Sequence, residues 1–352
     1  MQMPTARENR LDGLDLARYL AFVGMVVVNF RIAMGAEAGS GLLDRLVNAL
    51  EGRAAATFVV LAGVGLGLSA QRTEAGQTLS VTIRRAAFLL ALGLANMLIF
   101  DADILHYYAF YFLFGAMLVS FGNRVLTGVI VALNLAAVAM VLLLDYDAGW
   151  NWQTYAYADF WTPTGFLRNL FFNGWHPVVP WLGFLLFGVI LSRTALAVRR
   201  VQIRLVLSGA VALIAAATLS ALLTPLATAL DPALSALTST SPVPPMPLYT
   251  LAGLGAAALV IGLCLLGRDL AARLGLLALV TPAGRQTLTL YLAHILLGMG
   301  TLEALGRLGG QTTAQAFTAA LVFCALSTLY AWLWSRGFKR GPVEAIMRQI
   351  AG

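Results

Sequence analysis

Residues 125–144 read VLTGVIVALNLAAVAMVLLL, a run of 20 residues in which no side chain is charged. A helix needs about 20 apolar residues to cross the hydrocarbon core of a bilayer. Because lipid offers no partner to backbone N–H and C=O groups, a segment that crosses it must be helical. Comparable runs recur along the chain, and we place spans at about residues 16–33, 54–70, 86–100, 105–121, 125–144, 177–192, 205–223, 248–267, 286–304 and 314–335.

The composition of the whole chain supports this interpretation. Of its 352 residues, 60% are hydrophobic and 11% are charged, and the mean hydropathy is +0.82. Soluble domains are about half apolar and about a quarter charged, so this chain has too few polar groups to cover its surface in water. A soluble enzyme, a disordered protein and a fibrous protein are excluded. We predict an all-α fold, a polytopic membrane bundle of about 10 transmembrane helices that forms one transmembrane domain over residues 1–352.

The basic residues predict the orientation of the spans. An even number of spans places both termini on one side of the membrane, and positive residues collect in cytoplasmic loops. With the N-terminus inside, 18 of the 23 basic residues lie on the inner side, Arg7 and Arg10 among them. Both termini are therefore expected in the cytoplasm. Since this bias alone accounts for the net charge of +7, no nucleic-acid partner is needed.

Three predicted outer connections are long, at residues 34–53, 145–176 and 224–247. The second carries a set of aromatic residues: Trp150, Trp152, Tyr155, Tyr157, Trp161 and Trp175. Such residues suit stacking on sugar rings, but they are also typical of the belt at a membrane interface, which is the favoured interpretation. The third connection holds six of the 12 prolines, which predicts an ordered, non-helical loop.

The three histidines fall at predicted helix ends or within a span. His106 opens the fourth span, His176 opens the sixth, and His294 lies near the middle of the ninth. Titratable residues in membrane helices are costly and suggest function, although one near a helix end also serves as an interfacial anchor. Asp103 lies three residues before His106, so the two share a face if that segment is helical, and the carboxylate can orient the imidazole. An Asp–His pair could also hold a metal, but the ligand set is incomplete.

Polar residues in the first two spans are further candidates. Asp15 and Arg18 can pair at the inner edge of the first span, and Asn29 lies about 16 Å further along at the helical rise. Asn29 is therefore a buried amide in the outer half, suited to an interhelical hydrogen bond or to catalysis. Arg53 lies at the outer mouth of the second span, where it could bind an anion or anchor the helix at the interface.

Several segments resemble one family of membrane proteins. They are LDLAR at residues 14–18 followed by MVVVN at 25–29, DILHYYA at 103–109, PVVPWLGFLLFG at 177–188 and PAGRQTLTLYL at 282–292. In this order they resemble the heparan-alpha-glucosaminide N-acetyltransferase-like family and the related YeiB-type bacterial membrane proteins. The resemblance implies a multi-span acyltransferase that takes an acyl group from cytosolic acyl-CoA, such as acetyl-CoA, and delivers it to an acceptor, often a sugar, on the other side.

One departure from the family pattern changes which histidine we predict to be the general base. The resemblance implies a catalytic histidine in the first outer loop, but residues 30–53 contain none. His106 is therefore our predicted general base, with Asp103 holding its ring, Asn29 stabilising the oxyanion and His176 as the second candidate base. Arg53, Asp15, Arg18 and His294 are the predicted substrate-binding residues. A transporter and a non-catalytic membrane protein of the same fold are the alternatives.

Cofactors and partners follow from the same prediction. Acyl-CoA is a co-substrate, no metal is expected, and the partners are the lipid bilayer, acyl-CoA and an outer acceptor, a sugar or glycan. The strong use of arginine over lysine is associated with GC-rich bacterial genomes, so the cell membrane expected is a bacterial inner membrane. A monomer and a homodimer both remain open.

Overall fold

The computed structural model describes residues 11–36, 39–73 and 75–352, so Arg7 and Arg10 lie outside the described residues. The described chain is mostly helical, with one short two-stranded sheet. Its helices are α1 (Asp12–Ala33), α2 (Leu42–Leu50), α3 (Arg53–Ala70), α4 (Ala75–Asn96), α5 (Leu105–Leu118), α6 (Asn123–Leu143), α7 (Pro163–Arg168), α8 (Val178–Ser192), α9 (Arg199–Leu230), α10 (Pro247–Leu266), α11 (Arg268–Arg273), α12 (Leu276–Gly284), α13 (Thr287–Ala293), α14 (Gly300–Ala304), α15 (Thr313–Gly337) and α16 (Pro342–Ala351). Strands β1 (Trp150–Asn151) and β2 (Ala156–Tyr157) pair antiparallel.

The prediction of a polytopic helical membrane protein is confirmed. Among the described residues, eight helices are long and apolar enough to cross a membrane. A ninth crossing exists if the segments Pro163–Asn173 and Val178–Ser192, bent by 53°, are one span. The predicted fourth span is the shorter apolar helix α5. Every one of the ten predicted spans thus corresponds to a helix or to a bent or interrupted helical segment.

The exposed apolar side chains explain why the fold needs lipid. Leu135 and Leu143 on α6 are 65% and 81% exposed, and Leu230 at the end of α9 is 83% exposed. Leucines exposed to this extent along whole helices would be costly in water, whereas in a bilayer they contact hydrocarbon. The helices are therefore apolar on both their packed and their lipid-facing sides.

The first of two compact units contains the described residues up to Phe58 together with Ala195–Gly209 and Ala257–Ala345. Within it α1 packs against α12 and α15. Gly284 makes the first of these approaches possible, because a Cβ there would lie 2.0 Å from the backbone oxygen of Asp15. The segment after α13 is a π-helical turn, His294–Met299. Such turns are rare and are frequent at functional sites.

The second unit contains Val59–Thr194, Ala210–Ala256 and Ile346–Gly352. Within it α4 packs along α5, and α8 packs against α5 and α6. The segment after α6 folds into β1, β2 and α7 and then a π-helical turn, Asn169–Asn173, that leads to α8. The prediction of a single transmembrane domain stays a prediction beside these two units.

The prediction of a non-helical loop at residues 224–247 is wrong over the first part of that segment. Helix α9 continues to Leu230 with Pro225 inside it, and Pro232–Thr238 forms a 3₁₀ helix. A proline removes one backbone hydrogen bond and strains the turn before it, but the remaining bonds of a long apolar helix persist.

The third and seventh spans also extend beyond their predicted bounds, because basic residues such as Arg85 and Arg204 lie on the helices rather than before them.

Candidate functional site

His106 and Asp103 lie in contact at the start of α5. Asp103 precedes the helix, so the condition under which the two residues would share a helical face is not met. Instead, the Asp103 carboxylate caps the helix: its Oδ2 accepts from the His106 backbone N–H at 3.0 Å. The same oxygen lies 3.1 Å from His106 Nδ1. Both side chains are fully buried. A carboxylate in this position satisfies a free N–H of the first helical turn and orients the imidazole at the same time.

Asn96 at the end of α4 completes this group. Its Nδ2 donates to Asp103 Oδ1 at 2.8 Å. An ionised carboxylate only accepts hydrogen bonds, so beside an ionised Asp103 a neutral His106 ring carries its proton on Nδ1. Nε2 is then unprotonated, and it is buried without a hydrogen-bond partner among the described residues. These hydrogen bonds link three residues, which we call the His106 triad: Asn96, Asp103 and His106.

A glycine allows the two helices of the triad to meet. A Cβ at Gly93 would lie 2.3 Å from the His106 backbone nitrogen and 2.9 Å from Asp103 Oδ2. Contacts under 3.0 Å require something to shift, and here the first contact is with backbone. Glycine at this position lets α4 approach the first turn of α5 closely enough for Asn96 to reach Asp103.

Aromatic rings surround His106 in the same unit. The Tyr107 ring lies 3.8 Å from the imidazole, centroid to centroid, and Phe160 meets it edge-on at 5.6 Å. His176 packs edge-on against Tyr107 and against Trp181. The backbone oxygen of His176 accepts from the Tyr111 hydroxyl. The two histidines predicted at the outer mouth therefore lie in one aromatic-lined region.

In the first unit, Asn29 on α1 contacts His294 in the π-helical turn. Asn29 Nδ2 and His294 Nε2 are 3.0 Å apart, and His294 Nδ1 bonds to the Tyr291 backbone oxygen. Because that carbonyl can only accept, the ring is protonated at Nδ1, and Nε2 accepts from the Asn29 amide. His294 is completely buried. The prediction that Asn29 lies opposite His106 stays a prediction.

The predicted pair at the inner end of α1 is present. Arg18 donates to Asp15 at 2.6 Å. Arg285, which the sequence analysis did not single out, donates to Asp15 at 2.8 Å and to Asp12 at 3.0 Å. Its place within the segment PAGRQTLTLYL was the signal that could have identified it. These contacts join α1 to the end of α12.

Arg53 closes the end of α2. Its Nη1 donates to the backbone oxygens of Asn48 and Ala49 at 3.4 and 3.3 Å. The last carbonyls of a helix lack helical partners, and a guanidinium satisfies them well. This contact is distinct from both predicted roles of Arg53, so anchoring at the membrane interface and anion binding both stay predictions. Among the described residues, no group of three or more His, Cys, Asp or Glu side chains is arranged to hold a metal ion.

These features define a polytopic helical membrane protein with buried, hydrogen-bonded histidines. Residues 10–223 match the family described as heparan-alpha-glucosaminide N-acetyltransferase, catalytic, and the chain belongs to that acyltransferase-like family. Residues 184–352 match a family described as protein of unknown function (DUF418). Comparison with curated proteins yields no match. The first match covers Asn29 and the His106 triad, and the second covers His294.

Proposed function

We propose that the protein is a transmembrane acyltransferase that moves an acyl group, acetyl in the simplest case, from cytosolic acyl-CoA to a sugar or glycan on the outer side. Family membership supports acyl transfer in general. The observation that carries the proposal is the His106 triad, in which two hydrogen bonds orient a buried imidazole whose Nε2 has no partner among the described residues. This is the arrangement that a general base requires.

The reaction follows from the protonation states in the triad. A hydroxyl or amine of the acceptor attacks the thioester carbonyl while His106 Nε2 takes its proton. The tetrahedral intermediate collapses, the C–S bond breaks, and the imidazolium returns the proton to the CoA thiolate. Asp103 stabilises the positive imidazolium through its contact with Nδ1. The products are the acylated acceptor and CoA, so no other reactant is consumed.

The remaining roles are part of the same proposal. Asn29 is the donor to the oxyanion, and its contact with His294 holds the amide in place. His176 is the second candidate base. The arginines near the inner end of α1, Arg18 and Arg285, suit the phosphates of CoA, because guanidinium groups bind phosphate in a bidentate geometry.

The test is acyl transfer and thioester hydrolysis by purified His106→Ala and His106→Gln, in preparations that still bind acyl-CoA. Loss of a general base lowers the rate by about 10²- to 10⁴-fold. Thr250→Val is the matched control, because Thr250 is a buried residue of the same unit whose hydroxyl has no partner among the described residues. We expect the control to keep the full rate. If both His106 variants keep more than about half of it, His106 is not the base.

A further inference from the structure

The segment between α6 and α8 is a folded cap rather than a row of interfacial side chains. Asn173 holds it together: its Nδ2 donates to the backbone oxygens of Tyr146 and Ala148, and its Oδ1 accepts from the Tyr157 hydroxyl. Asn173 is fully buried. A buried amide that makes three hydrogen bonds to one segment fixes that segment in a single conformation.

Four aromatic residues of this cap, Trp150, Trp152, Tyr155 and Trp175, form what we call the aromatic platform. Trp150 and Trp152 are stacked with centroids 4.6 Å apart and planes at 17°. Trp175 meets Trp150 edge-on at 5.0 Å, and Tyr155 lies 5.7 Å from Trp175. Tyr155 is 50% exposed. The platform therefore combines aromatic rings packed against one another with one exposed ring.

Two indole groups of the platform form hydrogen bonds within the cap. Trp150 Nε1 donates to the backbone oxygen of Asn173 at 2.6 Å, and Trp152 Nε1 donates to Asp147 at 2.7 Å. Belt residues extend towards lipid with their polar atoms among the headgroups. Trp161, 61% exposed, is the residue of this segment that fits the belt. The interpretation of the segment as a belt stays a prediction, and the internal hydrogen bonds of the platform favour a binding surface there.

The cap and the His106 triad form one packed region. Phe160 contacts the His106 ring, and Trp150 packs against the cluster that contains Phe160. Trp175 directly precedes His176, whose ring contacts Tyr107. Trp175 Nε1 and His176 Nδ1 are buried atoms without a hydrogen-bond partner among the described residues. Buried polar atoms are normally paired, so these two lack the partners that such atoms usually have.

We propose that the aromatic platform is the acceptor-binding site and that its ligand is a sugar ring. This inference rests on the proposed function and extends it to the acceptor. One face of a pyranose presents C–H groups that pack on aromatic rings, and its edge presents hydroxyls that need hydrogen bonds. The platform offers an exposed ring for the first kind of contact, and the cap that carries it packs against the His106 ring through Phe160.

The test uses variants of Tyr155 and the sugar glucosamine as the probe. Tyr155 has a φ of 58°, a left-handed conformation that asparagine tolerates. Tyr155→Asn therefore removes the ring and preserves the backbone, and Tyr155→Phe keeps the ring and removes the hydroxyl. The matched control is Trp161→Leu, an exposed aromatic of the same segment outside the platform. Glucosamine binding to the detergent-solubilised protein is measured by saturation-transfer NMR and calorimetry.

We expect Tyr155→Asn to weaken glucosamine binding by about three- to tenfold, the range for loss of one aromatic stacking contact. Tyr155→Phe and Trp161→Leu should stay within about twofold of wild type. In acyl-transfer assays, Tyr155→Asn should raise the acceptor KM, whereas Trp161→Leu should leave both the acceptor KM and acyl-CoA hydrolysis unchanged. If Tyr155→Asn and Trp161→Leu behave alike, or if the wild-type protein binds no glucosamine or glucosamine-containing disaccharide, the inference is wrong.

The outcomes separate this inference from the proposed function. If His106→Gln keeps full turnover while Tyr155→Asn weakens sugar binding, the platform is the sugar site but His106 is not the general base. If His106→Gln abolishes transfer while Tyr155→Asn changes neither sugar binding nor the acceptor KM, His106 is the general base but the platform is not the sugar site.

Discussion

At the scale of single residues, Asp103 combines two roles that different substitutions separate. It caps α5 through the His106 backbone N–H, and it orients the His106 ring. Asp103→Asn retains an oxygen that can cap the helix but loses the charge that stabilises the imidazolium. We expect the fold to persist and acyl transfer to fall by about 10²-fold or more. Turnover is measured beside thermal unfolding of the same preparation, and an unchanged rate would remove Asp103 from the mechanism.

The contact between Asn29 and His294 is tested by two substitutions, one that removes the hydrogen-bond acceptor and one that replaces it. His294→Ala leaves the Asn29 amide without this acceptor, and a buried polar group without its partner costs about 1–3 kcal/mol. His294→Gln supplies another acceptor and should recover part of that loss. Thermal unfolding in detergent measures both variants. Equal melting temperatures for wild type and His294→Ala would contradict the contact.

Sequence patterns identified one of these two contacts and not the other. Asp103 and His106 are three residues apart, so their proximity follows from local spacing, although their relation is that of a cap and a helix rather than of two residues on one face. Asn29 and His294 lie 265 residues apart, and only the packing of α1 brings them together. Asn96 was missed for a related reason, since a single amide at the end of an apolar helix is usually a packing residue.

At the scale of elements, the approach of α4 to α5 depends on one glycine. A Cβ at Gly93 would clash with the His106 backbone, so Gly93→Ala should displace the start of α5 and lower both stability and turnover. Gly128 within α6 is the matched control, because a Cβ there meets nothing within 4 Å. Gly128→Ala should be neutral or should stabilise the protein by up to about 1 kcal/mol. Similar melting temperatures for the two variants would contradict the close approach.

Helix α13, which leads into the π-helical turn of His294, is capped by a distant residue. Glu344 on α16 accepts from the backbone N–H groups of Leu288 and Thr289 at 2.8 and 3.1 Å. Glu344→Ala should cost about 0.5–2 kcal/mol, the usual value of an N-terminal cap. Glu303→Ala, an exposed acid in the first turn of α14, is the control and should change the melting temperature less. Equal changes in melting temperature for the two variants would mean that the hydrogen bonds of Glu344 contribute nothing specific.

The elements themselves were predictable to different degrees. Apolar length located each spanning helix, because a bilayer leaves the backbone no alternative to a helix. The cap between α6 and α8 was not predictable in the same way. Its two-residue strands, short helix and π-helical turn depend on the hydrogen bonds of Asn173 with residues 16–27 positions earlier. Aromatic composition alone favoured a belt there, because the directions of the indole N–H groups are set by folding.

At the scale of the whole molecule, the distribution of charge predicts the orientation in the membrane. Eighteen of the 23 basic residues lie on one side of the predicted ten-span arrangement, and α15 ends on that side beside Arg336, Lys339 and Arg340. Arginine and lysine within about 15–20 residues of a span resist transfer across the membrane, so they retain their side. In the predicted orientation the aromatic platform and the His106 triad would lie at the outer face, the side of the proposed sugar acceptor.

A reporter fused after Gly352 tests this orientation directly. A reporter that is active only in the cytoplasm should be active there, and one active only outside the membrane should be silent. Fusion after Leu144, at the end of α6, is the matched control and should give the opposite pattern, because the cap that follows is predicted to lie outside. The same pattern at both positions would contradict the ten-span arrangement. Cytoplasmic activity after Leu144 would move the His106 triad to the cytoplasmic side, where transfer to an outer acceptor by this base would be excluded.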